Sequence, residues 1–432
     1  MGYVEFPKMN VMIQGMENVK LPKMMKVRQT FDDAYIEDIP AHVRKELDKI
    51  ANKEKFSGKR LAVTVGSRGI PHITEIIGTT IEVLKEWGVD PFIVPAMGSH
   101  GGATAEGQRE FIAGYGITEE SMGVPILSSM DTVELGYLPD GTPVYCDKYA
   151  AESDGIVIIN KVKPHTSFRG RHESGLAKMM AIGLGKHKGA SMFHAMGFKT
   201  FPDRLPEVYN VFMKNNLIAF GMGIVQNAYD VISDIEVCEA EDFMEVDARL
   251  LEVAKSKIAK FHFHDVDVLV IDQIGKDISG GGYDPNVVGR SIDPAFSDVL
   301  NLQRLFIRGL SEGAHHNGMG IGRAEFTTRR CLNSVDWEAT WVNCMTATEL
   351  EVGKMPVYFE NDRESLLAAI RSCNMPSGKT YDDAKIVRIK DTLHLVEFEV
   401  SENYREIVEA DPRIEIISEP YEIEFDEEGF MI

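Results

Sequence analysis

Apolar residues recur along the chain in short runs, separated by stretches with a helical period. The run KRLAVTVG (59–66) predicts a buried strand that ends in the turn Ser67-Arg68-Gly69. Thr74 to Trp87 predicts an amphipathic helix closed by Gly88. PFIVPAM (91–97) predicts the next strand, with Pro95 at its end because proline has no N–H for a ladder. GSHGG (98–102) predicts a loop, 104–114 a helix, and GIVIIN (155–160) a third strand running into Lys161-Val162-Lys163-Pro164-His165. Strands alternating with helices imply an α/β domain with a mostly parallel sheet and helices on both faces. Such sheets bind ligands beyond the carboxyl ends of their strands. Arg68, His100 and His165 each follow a predicted strand and are therefore expected on one edge.

The acidic helical stretch 239–260 predicts a connector, and VDVLVIDQIG (266–275) starts a new strand. The expected division is a larger N-terminal domain, 1–258, and a smaller α/β domain, 259–432, with the active site in the cleft between them. VRIKDTLHLVEFEV (387–400) predicts a hairpin turning near Lys390-Asp391. The acidic tail 413–432, with strand-like runs, can pack back on the first domain.

Composition narrows the class. Lys and Arg number 46 against 67 Asp and Glu, a net charge of −21, which disfavours nucleic acid and anionic membranes as partners. A small anion must then be drawn in by local positive charge. No apolar stretch of about 18 residues is present, and the N-terminus lacks a secretory layout, so a cytoplasmic protein is expected. Five scattered cysteines, none in a CxxC pair, predict neither a disulfide framework nor a zinc knuckle.

The segment 160–197 concentrates the candidate chemistry: four histidines, many Lys and Arg, and glycines that allow close backbone approach to a phosphate. His100 or His165 alone reads as a turn residue bonded to backbone. Two such imidazoles at strand ends of one sheet point instead to an acid–base pair acting on opposite faces of a substrate. His187 and His194, seven residues apart, do not form a close metal pair; a single histidine ligand needs the remaining ligands from elsewhere. His262, His264, His315 and His316 read as structural. Trp337 and Trp341 share a helix face, with core packing expected.

The order Ser-Arg, Gly-x-His, Lys-Pro-His and a glycine-rich lysine helix resembles the nickel-dependent lactate racemase family, most clearly over 60–200. The resemblance implies a nickel ion held in a pyridinium-3,5-bisthiocarboxylic acid mononucleotide, the nickel-pincer nucleotide. It implies His100 and His165 as catalytic residues, Lys178 as the tethering lysine and His194 as the nickel ligand, with His187 as its rival. Arg68 resembles the carboxylate-binding arginine, and Arg290 or Lys276 adds a second anion contact. Ser67, Lys186 and Lys188 are further cofactor contacts, the two lysines through its phosphate. The implied activity is racemisation or epimerisation of a small 2-hydroxy acid by proton-coupled hydride transfer, with cofactor-making enzymes as transient partners. The alternatives are a zinc or iron lyase or hydrolase built on the histidines alone, and a non-catalytic nucleotide-binding homologue.

Overall fold

The computed structural model describes residues 2–67 and 69–432. Residues 32–258 form one unit; residues 259–432 form the other, together with the segment that ends at Phe31. The expectation that the chain up to 258 forms one domain is corrected for its first 31 residues. Strand β1 (Met24–Gln29) explains why: it lies antiparallel between Glu397–Ser401 and Ile414–Ile416, with Val27 opposite both Phe398 and Ile416. Met25 and Val27 are fully buried there. Gln29 is buried too, and its side chain donates to the carbonyls of Leu395 (2.7 Å) and Lys260 (3.1 Å). The C-terminal tail closes on this same unit, where Tyr421 bridges to Met24.

In the 32–258 unit, strands β2 (Arg60–Val65), β3 (Asp90–Pro95), β6 (Gly155–Lys161), β7 (Ile218–Gln226) and β8 (Ile232–Glu239) make one sheet. Its order is β3-β2-β6-β7-β8, and only β8 runs antiparallel. A separate hairpin, β4 (Thr132–Tyr137) and β5 (Pro143–Asp147), precedes β6. The period of two sorts the sheet into two cores. Leu61, Val63, Ile93, Val157 and Ile159 face the helices Ile39–Leu47 and Ile73–Glu86. Ala62, Phe92, Val94, Ile156 and Ile158 face Phe201–Lys214 and Phe243–Lys257. Each such aliphatic side chain contributes about 1.5–3 kcal/mol through burial. With both faces covered, polar chemistry is confined to the strand ends.

The stretch expected as a connector is a core helix instead. Phe243–Lys257 packs on β7 because Gly221 and Gly223 clear room for Phe243 and Leu250; a Cβ on Gly223 would stand 2.3 Å from Leu250 Cδ1. The predicted strands and helices between 59 and 160 lie within one or two residues of their expected bounds.

In the other unit the sheet order is Val357–Phe359, Phe326–Thr328, Asn301–Ile307, Asp265–Ile271, Ile386–Ile389, Glu397–Ser401, β1, Ile414–Ile416. The junctions up to Ile386–Ile389 are parallel and the rest antiparallel. The expected hairpin pairs Val387 with Val400, across a wider turn than predicted. All five cysteines are buried and unpaired. Among the described residues no helix is long and apolar enough to cross a membrane.

Val27→Asp tests the assignment of β1, because it puts an unpaired carboxylate between two strands. Amide exchange is expected to rise across Glu397–Ser401 and Ile414–Ile416 and to stay unchanged in β2 and β6. Equal loosening in β2 and β6 would contradict the assignment.

Candidate functional site

Three segments leave the carboxyl ends of β2, β3 and β6 and line one cavity. Gly66 and Ser67 follow β2. Ala96, Met97 and His100 follow β3. Asn160, Lys161 and Lys163 end β6 or follow it, and Ser174, Lys178, Met179 and Ile182 complete the lining. Three lysines and a histidine stand there, with no carboxylate among the described lining residues. This is the local positive charge that an anion needs on a chain of net charge −21. A larger cavity lies in the other unit beside Arg388 and Tyr421. Its Arg388 is already paired with Asp272 and Glu399, and none of the expected site residues lines it.

The two histidines at the strand ends present opposite proton states. His100 is exposed, and its Nδ1 lies 2.8 Å from the carbonyl of Met97. A carbonyl only accepts, so Nδ1 carries hydrogen and the neutral ring keeps its lone pair on Nε2. His165 is 8% exposed, and its Nδ1 accepts from the backbone N–H of Ser167 at 3.0 Å. Its neutral ring therefore carries hydrogen on Nε2. His165 stacks on Phe168 with centroids 4.3 Å apart and lies 5.5 Å from Phe198.

Phe198 joins His165 to His194, whose ring is also 5.5 Å away, and His194 stacks on Phe201. Desolvation, then the neighbouring charges of Lys178 and His100, push the His194 imidazole down to about 4. His194 is thus a neutral nitrogen donor at pH 7, within electrostatic reach of Lys178 and His100. His187, its rival in the sequence, is exposed; His194, His187 and His165 all lie outside the described cavity lining, which His100 alone of these histidines enters.

Buried carboxylates hold the segment that carries His165 and Lys178. Glu173 Oε2 accepts from the backbone N–H of His165 at 2.7 Å, while Lys255 Nζ lies 3.1 Å from Oε1. Asp247 Oδ1 accepts from the N–H of Leu176 at 2.6 Å, and Oδ2 pairs with His172 Nδ1 at 3.0 Å. Asp247 thereby caps the helix Leu176–Lys178, which runs into a π-helical turn, Met179–Gly183. Gly175 is required for this approach, since a Cβ there would meet Asp247 Oδ1 at 2.2 Å. Gly183 likewise clears Met179 and the carbonyl of Ala96. These two glycines serve close packing rather than a phosphate. Asn160 completes the frame by donating from Nδ2 to the carbonyl of Gly175 at 2.7 Å.

Several expected contacts are corrected. Lys186, expected on a cofactor phosphate, is fully buried; it donates to the carbonyl of Pro95 and to Gln108 Oε1 and pairs with Asp147. Lys188, its alternative, lies over the Tyr145 ring, 4.0 Å from the centroid, outside the cavity lining. Arg290 places Nη2 on the carbonyls of Leu302 (2.9 Å) and Gln303 (3.1 Å) and near Glu325 (3.2 Å), while its buried Nε has no hydrogen-bond partner among the described residues. Lys276, in the same unit as Arg290, is exposed and donates to Asn343 Oδ1. Ser67 lines the cavity, and its carbonyl accepts from Tyr115 Oη at 2.9 Å. Arg68 lies outside the described residues. Trp337 is buried as expected, but Trp341 is 50% exposed. Among the described residues no three His, Cys, Asp or Glu side chains are grouped to hold a metal ion. The metal centre built on the histidines alone is therefore not formed by them.

Asn160, Lys161, Lys163 and Phe198 were not singled out from the sequence. The first three were legible as the polar end of an apolar strand. Phe198 carries no such signal, because its role is to be shared between two distant histidines.

The sequence model of the lactate racemase N-terminal domain matches residues 17–202. No curated protein matches the chain in sequence. Among solved structures, the lactate racemase apoprotein from Thermoanaerobacterium thermosaccharolyticum superposes with a TM-score of 0.50 at 14% identity, covering 86% of this chain and 99% of its own. A protein from Thermotoga maritima gives 0.49 at 14% identity, covering 85% and 99%. At such identity the first of these likenesses speaks for the fold alone.

His194 gives the site a pH signature in the metal-free protein. Its folded-state value lies below that of the unfolded chain, so the unfolded chain takes the proton first. The stability tied to neutral His194 is complete above about pH 6.5 and is lost as the pH falls toward about 4, by at most about 3 kcal/mol. Denaturant unfolding of the wild type and His194→Gln at pH 7.5 and 4.5 should show a steeper acid loss in the wild type. Equal losses would contradict a desolvated neutral imidazole.

Proposed function

We propose, from the match of residues 17–202 to the lactate racemase N-terminal domain, that the chain is a racemase or epimerase of a small 2-hydroxy acid. The observation that carries this reading is the pair of opposite neutral tautomers at His100, which lines a cavity with three lysines and no carboxylate among the described lining residues, and at His165, whose loop leaves the same sheet edge.

The family cofactor, a nickel ion in a pyridinium pincer nucleotide, fits the residues present. His194 is a neutral nitrogen donor of the kind nickel accepts. The described residues offer no further ligand cluster, so the remaining coordination would have to come from the nucleotide. Lys178 supplies an amine in the cavity lining beside it. When bound, that group supplies a hydride acceptor, so the hydrogen on the carbon next to a carboxylate need not leave as a proton.

The residues then have distinct tasks. Lys161 and Lys163 draw the substrate carboxylate into the cavity by charge. His100, with its lone pair on Nε2, takes the hydroxyl proton as the alcohol is oxidised to a 2-keto acid. It becomes imidazolium without losing its bond to Met97. His165 presents Nε2–H to the substrate oxygen and steadies the charge that develops there. Hydride returned by that group to the other face of the planar ketone would invert the centre, and the proton held by imidazolium His100 would go back to the oxygen. Each acid–base contribution is about 10²–10⁴-fold.

The test is a panel of single-enantiomer 2-hydroxy acids, scored by loss of optical activity with enzyme produced alongside the cofactor-making enzymes. At least one acid is expected to racemise or epimerise. His100→Ala and His165→Ala should each lower kcat by about 10²-fold or more. Full activity in both variants would defeat the reading; an enzyme inert toward every acid in the panel would defeat the substrate class.

A further inference from the structure

The loop that carries His100 has little ladder bonding of its own. Between β3 and the helix Ala105–Ala113 it turns through Gly98, Gly101, Gly102 and Ala103, all at positive φ between 55° and 66°. Of its own closing bonds, His100 N–H to the Met97 carbonyl is 3.1 Å, while Ala103 N–H to the His100 carbonyl (3.4 Å) and Thr104 N–H to the Gly101 carbonyl (3.3 Å) are long. Such a loop needs support from outside to hold a side chain in place.

Two fully buried polar side chains give that support. Gln108 Nε2 donates to the carbonyls of Gly98 (2.8 Å) and His100 (3.2 Å), one before the imidazole and one at it. Gln108 Oε1 accepts from Lys186 Nζ at 2.9 Å. Lys186 also donates to the carbonyl of Pro95, the last residue of β3, and pairs with Asp147 Oδ2 at 3.1 Å. The carboxamide has one workable orientation: turned over, its oxygen would face two carbonyls and its NH₂ an ammonium. Lys186 holds φ +53°, a conformation costly for a side-chain-bearing residue and kept where its surroundings determine it.

We propose that Gln108, oriented by Lys186, is a positioning residue for His100. It fixes the loop carbonyls around the imidazole, so that the ring stays on Met97 with its Nε2 lone pair presented to the cavity. The inference rests on His100 being the working base, and its test reads the brace separately from the chemistry. Gln108→Glu keeps the size and removes both donors; Gln108→Met removes the polarity altogether.

In either variant, amide exchange across residues 96–104 should rise about tenfold or more, as expected when buried carbonyls lose their partners, with β2 and β6 unchanged. In the loaded enzyme kcat should fall about tenfold with KM nearly constant. In the wild type the Gln108 side-chain amide protons should exchange far more slowly than those of an exposed glutamine, a reading that needs no variant to fold. Exchange as fast as in an exposed glutamine, or a 96–104 loop as protected in Gln108→Glu as in the wild type, overturns the proposal. A loosened loop, in a protein whose His100→Ala variant keeps full activity, supports the brace and overturns only the function assigned to His100.

Discussion

A sheet covered on both faces has room for polar chemistry only at its strand ends, where the loops have little ladder to hold them beyond the bridge of Lys163 to Ser174. In the 32–258 unit the gap is filled by buried polar side chains reaching in from elsewhere in the chain. Glu173 holds the backbone of His165, Asp247 starts the helix of Lys178, and Gln108 with Lys186 holds the loop of His100. Each is nearly or fully inaccessible. A buried polar group is costly unless its bonds are made, and these bonds are made to the backbone beside a working side chain. The arrangement of the site is thereby tied to the stability of the unit.

The lysines illustrate how burial separates support from chemistry. Lys178 lines the cavity; Lys186, eight residues on, lies under the loop with Asp147. Desolvation lowers the Lys186 ammonium and raises the Asp147 carboxyl, each offset by the other. Removing one partner would leave an uncompensated group in the core, and removing both would still take the donor from the Pro95 carbonyl and Gln108 Oε1. The same contrast separates His172, spent on Asp247, from His194, which faces Lys178 and His100.

Much of this was legible in the sequence. The apolar runs at 59–66, 91–97 and 155–160 follow the local rules for buried strands, and their ends mark where His100, His165 and the lysines lie. The partners of distant residues were not legible. β1 reads as part of whatever follows it, yet it pairs with strands some 370 residues later. Glycines at 221 and 223 hide β7 from a reading by period, because they exist to admit a helix whose position the sequence does not reveal. Lys186 stood among exposed neighbours in a basic stretch and resembled a phosphate contact; only the fold places Gln108, Pro95 and Asp147 around its amine. The acceptors of Arg290, backbone carbonyls and a glutamate, are likewise announced by no local pattern.

Side chains far apart in the chain, at 100, 165, 178 and 194, are proposed to serve one bound centre. Intact mass and nickel content of protein produced with the cofactor-making enzymes test this. A mass increment of one nucleotide and about one nickel per chain are expected in the wild type, with the increment lost in Lys178→Ala and the nickel lost in His194→Ala. A wild-type chain that carries neither, or a Lys178→Ala chain that carries both unchanged, would contradict it.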